Sequence, residues 1–283
     1  MSLRARQAYC RPTQADTVRV PDDSRDVVLL CHGTPESILQ GQIDLNNLPN
    51  GRIDVLARCT AASLFVSHAM RKHVRVWLML SSGVTICCDG GFVKGLHPDE
   101  RTIGAAIRKT LLSHSHGRAE GLGEALPVGW SVHADDSLET RLKSLMSSAE
   151  QGGTEAGGGE AGGGERGQLL VLHELGQRLT SELLETLHKG AVQRDEVDEQ
   201  MAAGGERSVA PATVLVVGDH QGFTIEEEKC LENMAAVRAN VSPVSLLASH
   251  CIVLAMAVLD EWRLTPHVRM GGAQDDQVMR ERG

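Results

Sequence analysis

The stretch from Val214 to Trp262 constrains the fold most. It reads VLVVGDHQGFTIEEEKCLENMAAVRANVSPVSLLASHCIVLAMAVLDEW: a β-branched strand emptying into Gly218-Asp-His, a capped helix, a second loop and an apolar helix. Thr224 and Glu227 form a capping-box pattern, so a helix is expected to open after Thr224 and run to about Ala236. That order sets two small-residue loops beside each other at the carboxyl ends of strands, where open α/β sheets hold ligands. The run Leu246–Leu259 is too short to span a bilayer and contains Ser249, His250 and Cys251, so it reads as a buried helix.

Upstream, strand and helix patterns alternate in the same way. Asp26–Cys31 (DVVLLC) reads as a first buried strand, followed by a turn at Gly33-Thr-Pro35. After Asn50-Gly51 a helix begins, with Ile53, Leu56, Ala57, Leu64, Phe65 and His68 on one face. Val74–Leu80 is a second strand. Pro98 suits a first helical turn, and Asp99 and Glu100 suit its dipole, so a helix is expected to reach about Leu112. Val128–His133 reads as a strand, and Asp136 with Glu139 as the capping box of the next helix. Leu169–Glu174 and Thr213–Val217 are further strands. Strands alternating with helices argue for an α/β fold with a mainly parallel sheet.

Between these elements lie segments of another character. Residues 1–25 carry Arg4, Arg6, Arg11, Arg19 and Arg25 without helical or strand periodicity, and read as a flexible extension. The segment EQGGTEAGGGEAGGGERG, Glu150 to Gly167, is too rich in glycine for packing to offset the entropy of ordering it. A second acidic, small-residue stretch runs from about Ala191 to Ala210, and residues 266–283 read as a flexible tail.

Charge and cysteine usage narrow the function classes. A net charge of -9 argues against a general nucleic-acid coat. Three Trp, three Phe and one Tyr argue against serial base stacking on single strands. The acids crowd into the two insertions, however, whereas Arg71, Lys72, Arg75, Arg101, Arg108 and Lys109 cluster in the first half. Such cations are either solvated element ends or a local basic face that engages one folded RNA. Seven cysteines without a CxxC pair, and no apolar run of signal-peptide length in Met1–Gln14, point to the cytoplasm and to no membrane anchor. Ser113-His-Ser-His116 lacks two further ligands at zinc spacing, so no metal is expected. Gly121-Leu-Gly123 completes no dinucleotide fingerprint, and no Lys-Ser or Lys-Thr follows the glycine-rich segment to make a phosphate loop.

Four separated motifs carry a family resemblance. They are Gly51-Arg-Ile-Asp54, the run His68-Ala-Met-Arg71-Lys72 into Val74-Arg-Val-Trp-Leu78, Leu96-His-Pro-Asp-Glu-Arg101, and the Val214–Trp262 stretch. In this order the chain resembles the SPOUT methyltransferases, specifically the archaeal tRNA pseudouridine N1-methyltransferases of the TrmY type, over roughly residues 26–262. The resemblance implies a single SPOUT domain over residues 26–265, with flexible surface insertions at about 151–167 and 191–210. It also implies a C-terminal deep trefoil knot, a rare exception to the rule against threaded chains. A symmetric homodimer follows from the family, with each cofactor pocket completed by the partner. S-adenosyl-L-methionine would bind at the positions matching the family's loops: Leu172, Gly218, Val241, Ser242, Pro243, Val244, Ser245, Leu246 and Cys251. Gly218 would let the ligand approach the backbone. Ser242-Pro243 stands where the family pattern has Gly-Pro; a serine forced to positive φ there would strain the loop.

The chemistry of the substrate suggests further residues. Pseudouridine N1 carries a weakly acidic proton that must leave as the methyl group arrives. A carboxylate can accept it, and guanidinium groups can stabilise charge spreading to the neighbouring carbonyl oxygens. Asp54, Arg71 and Arg75 are the catalytic candidates, and Arg52, Lys72 and Arg101 the candidates for holding tRNA. Asp54 has a competing reading as compensation of the helix dipole. Taken together, the expectation is methyl transfer to N1 of a tRNA pseudouridine, at nucleotide 54 of the T-loop. A ribosomal RNA pseudouridine N1-methyltransferase and a catalytically silent RNA-binding SPOUT protein remain open as alternatives.

Overall fold

The computed structural model describes residues 24–120, 126–134, 136–148, 168–198 and 212–264. The glycine-rich insertion, the C-terminal tail, and most of the N-terminal extension and of the second insertion lie outside them. Seven strands form one sheet: β1 (Arg25–Cys31), β4 (Val74–Leu80), β5 (Thr85–Asp89), β6 (Trp130–His133), β7 (Gln168–Arg178), β8 (Thr213–Gly218) and β9 (Val237–Asn240), in the order β6-β5-β4-β1-β8-β7-β9. A two-stranded hairpin of β2 (Phe65–Val66) and β3 (Ala69–Met70) stands apart. From β4 to β9 the neighbours run parallel, while β5 and β6 are antiparallel at one edge.

Strand periodicity divides the core in two. Val27 and Leu29 join Val76, Leu78, Leu215 and Val217 on one face, whereas Val28 and Leu30 join Trp77, Met79, Val214 and Val216 on the other. Both faces are buried, which is why the central strands read as largely apolar runs. The first face is covered by α2 (Ile53–Leu64), α3 (Glu100–Glu120), α5 (Ser181–Asp198) and α7 (Ala248–Leu264); the second by α4 (Leu138–Ser148) and α6 (Ile225–Asn233). A short α1 (Glu36–Leu39) follows β1. The result is a three-layer α/β fold.

Several boundaries differ from the sequence reading. Arg25 belongs to β1, not to the extension: it is 1% exposed and donates to Asp260. The expected second insertion begins inside α5, which continues to Asp198. Helix α2 stops at Leu64, short of His68, because Arg71 donates to the carbonyls of Ser63 and Phe65 and Phe65-Val66 turns into the hairpin. The cap of α4 is Ser137, whose Oγ accepts from the Thr140 N–H at 3.1 Å; Asp136 instead pairs with Arg141 at 2.8 Å. The Thr224/Glu227 capping box forms as expected, although α6 ends at Asn233.

Helix α7 is apolar on two sides, but only one is buried. Ile252, Ala255, Met256, Leu259 and Trp262 face the core, whereas Leu247 just before the helix, with Val253 and Leu254, is exposed. No helix among the described residues is long and apolar enough to cross a membrane.

Candidate active site

The parallel strands β7, β8 and β9 end together, and the loops leaving them enclose a cavity of about 700 Å³. That lies within the roughly 300–1,000 Å³ typical of cofactor clefts. Each strand supplies a wall for a local reason. In β7 the pairing with β9 skips between Leu172 and Gln177, so His173, Glu174 and Leu175 bulge out to line the cavity. The pairing then resumes only because Gly176 has no Cβ, which would sit 2.6 Å from the Ala239 backbone. In β8 the chain turns sharply after Gly218, and Asp219 and Gly222 close the turn with an isolated bridge. A Cβ on Gly218 would lie 2.7 Å from the Gly222 carbonyl oxygen. The glycine therefore lets the turn close on itself, and it lines the cavity as well.

After β9, residues 241–247 cross the cavity mouth to α7. The Asn240 Oδ1 accepts from the Ser242 N–H at 2.8 Å, and the Ser242 Oγ accepts from the Val244 N–H at 3.2 Å. Ser245 Oγ donates to the Glu174 carboxylate and Asn240 Nδ2 to the Glu174 carbonyl, tying this loop to the β7 bulge. Ser242 has no positive φ; among the described non-glycine residues only Arg52 and Ala235 do. The anticipated strain at Ser242 is absent, because its hydroxyl supports a local turn that needs no left-handed residue.

Of the residues matched to the family's cofactor loops, Leu172, Gly218, Val241, Ser242, Val244, Ser245, Leu246 and Cys251 line this one cavity; Pro243 does not. Burial pushes the Cys251 thiol up, so it contributes a neutral wall. Leu172, Val217 and Val241 offer flat apolar surface to a heterocycle, while Glu174, Asp219 and Glu228 offer acceptors for hydroxyl and ammonium groups. The composition fits S-adenosylmethionine, which has an apolar-faced purine, a ribose and a cationic tail.

The fourth wall comes from the start of α2, where Arg52, Val55 and Arg58 face the cavity. Arg52 is held at φ 57, a costly conformation for a residue with a side chain. Asp54 sits just behind this wall and is 8% exposed. Its Oδ2 accepts from Arg58 Nη2 at 2.8 Å, and its buried Oδ1, 3.5 Å from Arg52 Nε, has no hydrogen-bond partner. Arg58 also donates to Glu100 at 3.2 Å, which brings the beginning of α3, with exposed Arg101, to the same side.

Arg71 and Arg75, the other two catalytic candidates, are placed away from this cavity. Arg75 lies near the amino end of β4, about five residues or roughly 16 Å of strand from the carboxyl edge. Its guanidinium makes a bidentate pair with the fully buried Asp26, at 2.7 and 2.8 Å. Arg71 donates to Asp260, which also receives Arg25 from the amino end of β1. Arg75 thus bonds a buried carboxylate and Arg71 a half-buried one, and Lys72 is exposed in the turn between them.

Sequence reasoning missed Arg58, Glu174 and Asp219. The Asp54–Arg58 spacing of four residues was the available signal for the first, since such pairs meet on a helix. Among the described residues no group of three or more His, Cys, Asp or Glu side chains could hold a metal.

A three-layer α/β domain with this cavity at its strand ends defines a nucleotide-cofactor enzyme of the open-sheet kind. More particularly, residues 25–124 and 178–264 match the family model described as "Putative SAM-dependent RNA methyltransferase", and the chain belongs to that family. Among its relatives is the tRNA (pseudouridine(54)-N(1))-methyltransferase of Methanosarcina mazei, 32% identical over 242 residues, covering 83% of this chain and 90% of the relative. An enzyme of the same name from Haloarcula marismortui is 30% identical over 240 residues, covering 83% and 96%. The solved structure of Archaeoglobus fulgidus Nep1 bound to S-adenosylhomocysteine aligns with a TM-score of 0.45 at 13% identity, covering 88% of this chain and 99% of that one, too distant a likeness to bear on this chain.

Proposed function

We propose that this chain transfers the methyl group of S-adenosylmethionine to N1 of pseudouridine in tRNA, at nucleotide 54 of the T-loop. The observation that carries the reading is the single cavity that gathers the loops after β7, β8 and β9. Membership of the family and relatives that share about 30% identity over most of the chain supply the substrate. The cofactor supplies an activated methyl group; the protein has to align acceptor and donor and take up one proton.

The α2 wall suits the acceptor side. Arg52 and Arg58 present positive charge to the cavity, where developing charge on the base carbonyls would be stabilised. Asp54 Oδ1 has an unused lone pair behind them and is the proposed proton acceptor. Arg101, at the start of α3, is the proposed contact to the tRNA backbone; a T-loop base must be exposed to reach the cavity. We also place the chain in the SPOUT class with a knotted C-terminal segment. In support, the chain turns back from edge strand β9 across the ends of β7 and β8 before α7 packs on α2. A homodimer is favoured by exposed Leu247, Val253 and Leu254, and a cytoplasmic location is proposed to go with a tRNA target.

The test is incubation of the protein with methyl-labelled S-adenosylmethionine and tRNA that carries pseudouridine or uridine at position 54, followed by nucleoside digestion and mass spectrometry. N1-methylpseudouridine formed only from the pseudouridine substrate is the expected result. Label found in ribosomal RNA instead would redirect the substrate. S-adenosylhomocysteine binding without transfer to any RNA would leave a silent binder.

A further inference from the structure

His32, the first residue after β1, lies between two carboxylates. Its ring Nδ1 is 3.0 Å from Asp219 Oδ1 and its Nε2 is 3.0 Å from Glu227 Oε2, while its backbone N–H donates to Asp219 Oδ2 at 2.8 Å. An ionised carboxylate only accepts hydrogen bonds, and a neutral imidazole has one nitrogen that also only accepts. Both contacts are hydrogen bonds only if both ring nitrogens carry protons. The geometry is that of an imidazolium.

Each carboxylate also holds a segment of the site. Asp219 lines the cavity, and its Oδ1 accepts from the Gln221 N–H at 2.8 Å, fixing the turn from Gly218 to Gly222. Glu227 Oε2 accepts from the Thr224 N–H at 2.7 Å as half of the α6 capping box. His32 thus joins the end of β1, the turn after β8 and the start of α6. We propose that protonated His32 is a positioning residue that holds the 218–222 turn in its cofactor-binding shape, so that cofactor affinity falls when His32 loses its proton.

The surrounding charges agree. Partial burial by itself lowers the His32 pKa, but hydrogen bonds to Asp219 and Glu227 and their negative charges outweigh it, and the net direction is upward. The other groups near the pair are His220, 3.7 Å from Asp219 on its exposed side, and the buried Cys31 thiol, which burial keeps neutral. Cys59 on α2 is likewise pushed up to about 12 by burial and carries no charge. The sign follows: a histidine raised above its ordinary value makes its full contribution below about pH 6.5 and loses it as pH climbs through the raised value.

The proposal rests on the cofactor reading above, and the experiment separates the two. S-adenosylhomocysteine affinity is measured by calorimetry from about pH 6 to pH 9 for the wild type, His32→Gln and Glu227→Gln, with thermal melting of each protein alone and a nitrogen-detected NMR titration of the His32 ring. The ligand's amino group titrates equally in all three and cancels in the ratios. The wild type is expected to weaken by about fivefold or more relative to His32→Gln across this span. Glu227→Gln keeps a capping acceptor but removes one charge, so its affinity loss and its His32 titration move together to lower pH; this arm holds even if His32→Gln fails to fold. Tight wild-type binding with a pH profile matching that of His32→Gln, or a His32 ring that titrates without any parallel change in affinity, would overturn the positioning role alone. No binding at any pH would overturn the cofactor reading and this inference with it.

Discussion

Replacing Arg75 by methionine separates a structural from a catalytic arginine. Asp26 is 0% exposed, and three charge-assisted hydrogen bonds compensate its carboxylate: two from Arg75 and one from Trp77 Nε1 at 2.7 Å. Methionine replaces most of the side-chain volume and removes two of the three. Breaking a buried ion pair costs about 3–5 kcal/mol because the remaining charge is left uncompensated. Arg75 itself is 30% exposed, so water reaches the vacated place and the lower end, about 3 kcal/mol, is expected. With a urea slope of about 2 kcal/mol per molar, the unfolding midpoint should drop by roughly 1.5 M. Asp26→Asn combined with Arg75→Met removes the stranded charge and should recover part of the loss. At a temperature where the variant is fully folded, tRNA affinity and single-turnover methyl transfer should stay near the wild-type values. Unchanged stability together with a collapse of turnover would show that Arg75 acts on RNA, across a dimer interface if not within its own chain, and would refute the structural assignment.

Other residues test the cavity and its surroundings. Asp54→Asn keeps the size of the side chain and removes its basicity, so single-turnover rate should fall by roughly a hundredfold with S-adenosylhomocysteine affinity unchanged; a near-normal rate at saturating tRNA would remove the proton-acceptor role. Gly218→Ala places a methyl group against the Gly222 carbonyl and should weaken S-adenosylhomocysteine binding by about tenfold, with a stability cost of about 1–3 kcal/mol; calorimetry that finds wild-type affinity would contradict the turn-closing role. Leu254→Arg changes an exposed position on α7 and should give a folded monomer with poor cofactor affinity, read by sedimentation and calorimetry. Ile252 is 0% exposed, so Ile252→Arg would report on the core instead of an interface. An active, well-folded Leu254→Arg monomer would reject the dimer.

What the sequence revealed, and what it hid, follows from the range of the interactions. Strands β1, β4 and β8 are visible because burial on both faces writes an uninterrupted apolar run into four or five consecutive residues. The Thr224/Glu227 box was visible because its partners are three residues apart. Strand β9 was not: Val-Arg-Ala-Asn at a sheet edge needs only Ala239 buried, and its remaining residues read as loop. Strand β5 is hidden for a different reason: Thr85-Ile-Cys-Cys-Asp89 is short, and its apolar run is only three residues, two of them cysteines. Arg71 and Asp260 are 189 positions apart, so nothing local distinguishes an arginine that neutralises a half-buried carboxylate from one that awaits a phosphate. Motif resemblance located the cavity walls because those loops follow strand ends that the sequence does mark. It did not show His32, whose partners Asp219 and Glu227 come from other elements.

Helix α7 connects these two kinds of residue. Its first turn, at Ala248, Ser249 and Cys251, lines the cavity, and roughly 18 Å along its axis Asp260 binds Arg25 and Arg71 at the opposite edge of the sheet. Opposing charges lower the Asp260 pKa further than burial raises it, so the carboxylate remains ionised and the clamp intact throughout the neutral range. A rigid helix fixed at its far end has little freedom to tilt at its near end, and the packing of Ile252, Met256 and Leu259 against the sheet removes most of what is left. Cavity-wall positions and far-edge charges should accordingly couple: Asp260→Asn ought to weaken cofactor binding modestly while lowering stability, whereas an isolated loss of stability with wild-type affinity would show that the first turn of α7 is held by its local contacts alone.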